Sequence, residues 1–181
     1  MAHLYVDADS LPKTHREIII RRILKDKLEA VFVADRPLSD VKAAIERDTA
    51  ERRAPYRGVL DKEELKKIKS GISMVVVESG INSADDELVR IAISSSIAIT
   101  HDIPLASRLL EKNLLVIDDR GREFSKDNIK ELLSLREINS DFREMGVCYE
   151  KSARFTQKSV NEFSNSFDRV LQKLMREIGN K

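Results

Sequence analysis

Leu4-Tyr5-Val6-Asp7-Ala8-Asp9 places two carboxylates directly after a short apolar run near the start of the chain. A run of this length and composition predicts a buried strand that ends at Asp7. Ligands of open parallel sheets bind beyond the carboxyl ends of the strands, so Asp7 and Asp9 are candidate binding residues. The structural alternative for Asp9 is that it only caps the helix that follows.

A second acidic strand end occurs much later in the sequence, at Thr100-His101-Asp102. Its structural explanation is that Asp102 is the N-cap of a helix with Pro104 in the first turn. If the strands ending at Asp7 and Asp102 are neighbours, however, their carboxylates come close and repel each other. A divalent cation would relieve that repulsion.

A third acidic group, Asp85-Asp86-Glu87, begins a helix with apolar periodicity. The helix dipole is a sufficient structural reason for negative charge at that position. Convergence with Asp7 and Asp102 would make the group part of a site. A site built only from carboxylates favours Mg²⁺ or Mn²⁺ over zinc, and such a cation can orient a water for attack on a phosphodiester.

Further polar side chains are candidates for contact with a substrate at this edge. His101 could transfer a proton or contact a phosphate. Asn82 and Ser83 could line the mouth of the site, and three arginines could bind phosphates: Arg36, Arg120 and Arg136. The structural alternative is that each of these arginines is an ordinary surface residue or a member of an ion pair. The acidic turn Asp118-Asp119 before Gly121 is predicted to be structural, with a further acidic contribution to the site as its alternative.

The composition of the 181 residues limits the classes of protein to consider. This length fits one domain, since domains commonly have about 100–200 residues. A net charge of +1 gives no overall attraction to nucleic acid, so any basic surface must be local. The single cysteine, Cys148, excludes an intrachain disulfide and a cysteine-based zinc site. No signal peptide or membrane-spanning run is apparent, so we expect a cytoplasmic protein.

Strand and helix patterns alternate along the chain and predict an α/β fold with a mainly parallel sheet. Five strands are predicted: His3–Asp7, Ala30–Ala34, Met74–Glu78, Ile97–Thr100 and Leu114–Ile117. The predicted helices are Leu11–Leu28, Ser39–Arg53, Asp61–Ser70, Asp85–Ser94, Pro104–Lys112 and a C-terminal helix at 157–178. We predict one domain over 1–181, with a charged helical insertion at about 39–73.

Several motifs, in this order, resemble the bacterial YaiI/YqxD family, which groups with PIN-like domains. They are Val6-Asp7-Ala8-Asp9 with Pro12, Val33-Ala34-Asp35-Arg36-Pro37-Leu38, Ala84-Asp85-Asp86-Glu87-Leu88-Val89, Ile99-Thr100-His101-Asp102-Ile103-Pro104-Leu105-Ala106, Arg120-Gly121, Leu135-Arg136, Gly146-Val147 and the region from Phe155 to Leu171. The resemblance covers most of the chain outside about 39–73. It implies a three-layer α/β/α fold around a five-stranded sheet of order 3-2-1-4-5, in which the strands ending at Asp7 and Asp102 are neighbours.

The resemblance also implies a function, because PIN domains are typically ribonucleases that depend on Mg²⁺ or Mn²⁺. Asp7, Asp86 (with Asp85 as the alternative) and Asp102 are then the catalytic carboxylates, and Asp9 and Asp85 are further metal ligands. Three features depart from the family pattern. Leu11 replaces a usual cysteine, Pro104 replaces an acidic residue found in many PIN nucleases, and the segment 37–73 is longer.

Two other functions are open at this stage. The first is a binding module of the same fold, without turnover, that holds nucleic acid or a phosphorylated ligand. The second is a phosphatase of the haloacid-dehalogenase type with Asp7 as the nucleophile. That class fits the first motif but poorly fits the acidic group at Asp85 and the Thr-His-Asp motif. With any of these functions the protein could form a homo-oligomer.

Overall fold

A single six-stranded sheet forms the centre of the computed structural model, which describes residues 3–78, 83–145 and 156–179. Its strands are β1 (His3–Asp7), β2 (Glu29–Ala34), β3 (Ile72–Val76), β4 (Ile97–Ile99), β5 (Leu115–Ile117) and β6 (Glu123–Phe124). The order is β3-β2-β1-β4-β5-β6, and every neighbouring pair is parallel except β5 and β6. The predicted α/β class and the order of the first five strands are therefore confirmed.

Seven helices and one 3-10 turn at Ala54–Tyr56 connect the strands within the described ranges. The helices are α1 (Lys13–Asp26), α2 (Ser39–Arg53), α3 (Lys62–Lys67), α4 (Ser83–Ile91), α5 (Ile103–Glu111), α6 (Ile129–Glu144) and α7 (Gln157–Gly179). None of them is long and apolar enough to cross a membrane. Cys148 lies outside the described residues.

The helices cover both faces of the sheet and create two hydrophobic cores. On one face, Leu4 and Val6 of β1 pack in the core that includes Phe163 of α7 and buried residues of α1 and α2. On the other face, Tyr5 belongs to the core formed with α4, α5 and the start of α6. Burial on both faces explains why the strand sequences are nearly continuous apolar runs instead of alternating ones.

The charged segment 39–73 begins with a helix that belongs to the core. Val41 and Ala44 of α2 are buried against the sheet, so α2 is the crossover helix between β2 and β3. The later part of the segment is more exposed, and α3 starts with a capping box between Asp61 and Glu64. Arg53 ties this part back to α2 by donating a hydrogen bond to the Ile68 carbonyl at 2.9 Å.

The predicted position of the third strand, Met74–Glu78, was wrong by two residues. Strand β3 begins and ends two residues earlier, at Ile72–Val76. Its pairing with β2 begins at Ala30 opposite Ile72. The residue before β3 is fixed by α2, because Asp48 accepts a hydrogen bond from the Gly71 N–H at 2.8 Å. This anchor sets where the strand begins, and the apolar pattern alone does not reveal it.

A buried ion pair holds the loop between β1 and α1. Arg16 and Asp40 have side chains only 12% and 9% exposed, and Arg16 Nε lies 2.8 Å from Asp40 Oδ2. The same guanidinium donates hydrogen bonds from Nη1 to the carbonyls of Leu11 and Ala8, at 2.7 and 3.3 Å. The loop that follows Asp7 is therefore fastened to both α1 and α2.

Candidate carboxylate site

Asp7 and Asp102 are connected through the buried hydroxyl of Thr100. The adjacent strands β1 and β4 bring these residues to the same edge of the sheet. Thr100 Oγ1 donates a hydrogen bond to Asp7 Oδ2 at 2.7 Å and accepts one from the Asp102 N–H at 3.0 Å. Asp7 is only 6% exposed, so this bond is important for keeping a carboxylate at that depth.

Asp102 has the structural role that its sequence context predicts, and it also faces the site. Its Oδ1 accepts a hydrogen bond from the Leu105 N–H at 2.9 Å and caps α5. Its Oδ2 lies 3.5 Å from Arg136 Nη2 on α6. The cap uses one carboxylate oxygen, and the second oxygen has Arg136 as its ion-pair partner.

Asp85 is the acidic residue of α4 that interacts most clearly with these two aspartates. Burial first, then the negative charges of Asp7 and Asp102, raise the pKa of Asp85 to about 6. The positive charge of Arg108 opposes this rise. The three acidic groups that were distant in sequence are therefore within electrostatic reach of one another.

Asp86 is turned toward a different partner. Its Oδ1 accepts a hydrogen bond from Arg108 Nη2 of α5 at 2.7 Å, and its side chain is 65% exposed. Successive helix residues point in directions about 100° apart, so two adjacent acids at a helix start cannot both face the same point. We therefore give the central position to Asp85, and the role of Asp86 as a catalytic carboxylate stays a prediction.

Asp9 is exposed and interacts with the neighbouring loop. Its Oδ2 accepts a hydrogen bond from the Asp35 N–H, and its pKa is raised by burial and by the charge of Asp35. It does not cap α1, which begins at Lys13 without a side-chain cap. Arg36 lies 3.7 Å from Asp35 on this same loop. The roles of Asp9 as a metal ligand and of Arg36 as a phosphate contact stay predictions.

His101 has one ring nitrogen fixed by the backbone. Its Nδ1 lies 2.8 Å from the Ser10 carbonyl oxygen, which can only accept, so Nδ1 is the protonated nitrogen. Nδ1 is also 4.0 Å from Asp119 Oδ2. In the neutral imidazole, the lone pair is therefore on Nε2, and the residue is exposed at the edge that carries Asp102.

The acidic turn after β5 has the structural role predicted for it. Asp118 Oδ1 accepts hydrogen bonds from the N–H groups of Arg120 and Arg122, at 2.9 and 2.7 Å. Gly121 has a φ of +81°, and a Cβ there would lie 2.8 Å from the Glu162 carbonyl of α7. The turn is thus closed by Asp118 and needs glycine, and the exposed Arg120 stays a predicted phosphate contact.

Asn82 lies outside the described residues, and Ser83 is the first residue of α4. In the described part of the chain, no three His, Cys, Asp or Glu side chains form a group that could hold a metal ion. Asp7, Asp85 and Asp102 thus interact through their charges without forming a complete coordination sphere by themselves.

Two residues of the site were missed as candidates from the sequence. Thr100 lies two residues before Asp102 at the end of β4, and that position at a strand end was its only signal. Arg108 lies inside an amphipathic helix, where arginines are common on the exposed face. Its position beside Asp86 depends on the packing of α4 against α5, which the sequence does not specify.

Comparisons with known proteins identify the relatives of this chain. The family model described as "Uncharacterized BCR, YaiI/YqxD family" matches residues 37–173, a range that includes the charged segment. A UPF0178 protein of Pseudomonas aeruginosa (strain UCBPP-PA14) is 33% identical, with 96% of this chain and 92% of the relative covered.

A UPF0178 protein of Pseudomonas entomophila (strain L48) is 31% identical, with 96% of this chain and 98% of the relative covered. No solved structure matches the chain significantly. Since the family model spans well over half of the sequence and the relatives align along nearly all of it, this chain belongs to the YaiI/YqxD family.

Proposed function

We propose that this protein is a divalent-metal-dependent nuclease that hydrolyses RNA phosphodiesters at the edge formed by Asp7, Asp85 and Asp102. The observation that carries the proposal is the Thr100 hydroxyl, which bonds the buried Asp7 carboxylate at 2.7 Å and the Asp102 N–H at 3.0 Å. In agreement with this convergence, burial and the charges of Asp7 and Asp102 raise the pKa of Asp85 to about 6. A strongly perturbed carboxyl with specific charged neighbours is typical of functional sites. A carboxyl whose ionisation is opposed by two neighbouring carboxylates is also an arrangement that a cation would stabilise.

The donor set suits Mg²⁺ or Mn²⁺ better than a metal that needs a complete protein cage. Mg²⁺ keeps several waters and is commonly bound by one or two carboxylates together with substrate phosphates. Asp7 and Asp85 would hold the cation, and Asp102 would contribute through its second oxygen. The bound cation would make a coordinated water more acidic and offset the negative charge that develops on the phosphate.

The protein's own residues supply the other parts of the reaction. Thr100 fixes the Asp7 carboxylate by the hydrogen bond at 2.7 Å, so the acidic group does not have to reorganise. The Ser10 carbonyl holds His101 in the tautomer whose Nε2 can take a proton from an attacking water. Arg136, 3.5 Å from Asp102, would contact a phosphate at the same edge.

RNA as the substrate is inferred from the resemblance to PIN-like domains. The first five strands have the order 3-2-1-4-5 that this resemblance implies, which supports the inference. The strands β1 and β4 lie at the point where the strand order reverses, where ligands of open α/β sheets bind. A cytoplasmic location and self-association stay predictions.

The proposal is tested by incubating end-labelled single-stranded RNA with the purified protein and Mn²⁺. We expect cleavage by the wild type and a loss of at least about a hundredfold in Asp7→Asn, because the charge of a buried ligand is removed. Asp127→Asn is a matched control, since Asp127 is exposed near the opposite edge of the sheet, after β6. Intact RNA with the wild type, or equal cleavage by Asp7→Asn, would contradict the proposal.

The same assay separates the other functions. Retention of RNA without cleavage, unaffected by Mn²⁺ and lost at high salt, would indicate a binding module. Hydrolysis of a phosphomonoester, with a metallofluoride trapped on Asp7, would indicate a phosphatase instead.

A further inference from the structure

Arg108 contacts the candidate site with only part of its guanidinium group. Its Nη2 donates to Asp86 Oδ1 at 2.7 Å, and its side chain is 43% exposed. A guanidinium has five N–H donors. Arg108 makes no other hydrogen bond to the described residues, so most of its donors face solvent or a ligand.

Arg136 has a similar position on the neighbouring helix α6. Its Nη2 is 3.5 Å from Asp102 Oδ2, which is longer than the 2.7–2.9 Å of a strong charge-assisted hydrogen bond. The side chain is 44% exposed. Arg136 thus forms an ion pair with Asp102. Most N–H donors of its guanidinium make no hydrogen bond to the described residues.

These two arginines neutralise part of the negative charge of the site. Arg108 Nη2 lies 2.7 Å from Asp86 Oδ1, next to Asp85 in the chain, and Arg136 Nη2 lies 3.5 Å from Asp102 Oδ2. The two arginine side chains are 43% and 44% exposed. Ion pairs of exposed arginines contribute only about 0–1 kcal/mol, so they can be broken at little cost. A guanidinium also binds phosphate oxygens well, since its donors form a planar fork that matches their geometry.

We propose that Arg108 and Arg136 exchange partners when a divalent cation and RNA bind at the site. The two arginines then leave Asp86 and Asp102 and bind phosphates of the RNA strand. This inference rests on the proposed function. A divalent cation at the carboxylates takes over the neutralisation that the arginines provide, which releases both guanidinium groups for the substrate. The cation and RNA therefore bind cooperatively, and each increases the affinity for the other by the same factor.

The exchange predicts opposite effects of one substitution on two ligands. Arg108→Gln removes a positive charge beside the carboxylates, so Mn²⁺ alone, followed by electron paramagnetic resonance, binds about threefold more tightly. In the presence of Mn²⁺, a short single-stranded RNA with cleavage-resistant phosphorothioate linkages, followed by fluorescence anisotropy, binds about tenfold more weakly. Without Mn²⁺, its affinity changes by less than about twofold. Arg136→Gln gives the same pattern.

Arg90→Gln is the matched control because it also removes one arginine's positive charge. Arg90 lies on α4, in the same layer of helices as Arg108 and Arg136. Arg90 is 70% exposed, pairs with Glu87 at 2.7 Å, and is not among the charges that act on Asp85. We expect wild-type affinities for Mn²⁺ and RNA. An equal loss of RNA binding in Arg90→Gln would show a general charge effect and overturn the exchange.

The results also separate this inference from the proposed nuclease activity. Normal RNA cleavage with unchanged RNA affinity in Arg108→Gln and Arg136→Gln overturns the exchange alone. The predicted affinity changes without cleavage by the wild type support the exchange and contradict the nuclease. Failure of the wild type to bind Mn²⁺ contradicts both. Circular dichroism and urea unfolding of each variant identify any loss of folding.

Discussion

Asp85 is ionised at neutral pH in surroundings that oppose its charge. Its pKa is about 6 in the folded protein, against an ordinary value of 3.8. The folded state therefore binds this proton more tightly than the unfolded state does. The stabilising contribution of this proton is complete below about pH 4. It is lost as the pH rises through the folded-state pKa, at about 6.

Asp85→Asn should therefore stabilise the metal-free protein at pH 7.5. The shift corresponds to at most about 3 kcal/mol, and solvent screening of a half-buried group reduces the expected gain to about 1 kcal/mol. Urea unfolding at pH 4.5 and 7.5 measures it, with the larger gain expected at pH 7.5. Asp86→Asn is the control, because it breaks the contact with Arg108 and should not stabilise. A loss of stability in Asp85→Asn at pH 7.5 would contradict this account.

Thr100 is the residue that joins Asp7 to Asp102, and its hydroxyl is expected to be essential for the site. Thr100→Val keeps the shape but leaves the buried Asp7 carboxylate and the Asp102 N–H without their shared partner. We expect a loss of about 2 kcal/mol in the free energy of unfolding, together with weaker Mn²⁺ binding. Thr100→Ser restores the hydroxyl and should recover both properties. Similar values for the Val and Ser variants would mean that the hydroxyl is unimportant.

At the scale of the elements, the sequence predicts which helices start at acidic residues but not how they are rotated. The pattern predicts a helix at Asp85–Ser94, and α4 starts two residues earlier and ends three residues earlier than that. The choice between the two carboxyls depends on the packing of α4 against α5. Similarly, the pattern predicts the end of β1 at Asp7. It does not predict that Asp9 turns to the Asp35 N–H, since that contact needs the loop after β2.

Asp48 connects the charged helix α2 to the start of strand β3. It is 1% exposed. Burial raises its pKa, but hydrogen bonds from Ser70, the Gly71 N–H and Arg52 outweigh burial and lower it. Its ionised form therefore adds stability above the ordinary pKa, and this stability is lost as the pH falls through the lowered value.

Asp48→Asn should destabilise the protein by about 2 kcal/mol at neutral pH, because a charged acceptor of three hydrogen bonds is replaced by a neutral one. Urea unfolding is the measurement, and the difference from the wild type should shrink at acidic pH. Glu51→Gln changes an exposed carboxylate of the same helix and should leave the stability nearly unchanged. Equal effects of the two variants would exclude a special role of Asp48 in anchoring β3.

At the scale of the whole molecule, the alternation of strands and helices was enough to predict the class and the number of parallel strands. The strand order came from the family resemblance. Strand β6, with two residues, is too short to produce a periodic signal, and it exists because the turn closed by Asp118 returns the chain beside β5. The position of β3 depends on the contact between Asp48 and Gly71, which links residues distant in sequence.

The central claim is that the ends of β1 and β4 and the start of α4 form one cation site. The most direct test is the anomalous scattering of crystals soaked in Mn²⁺. We expect a peak at this edge, contacted by Asp7 and by Asp85 or Asp102, that is absent in crystals of Asp7→Asn. No peak at this edge under saturating Mn²⁺, or an unchanged peak in Asp7→Asn, would contradict it.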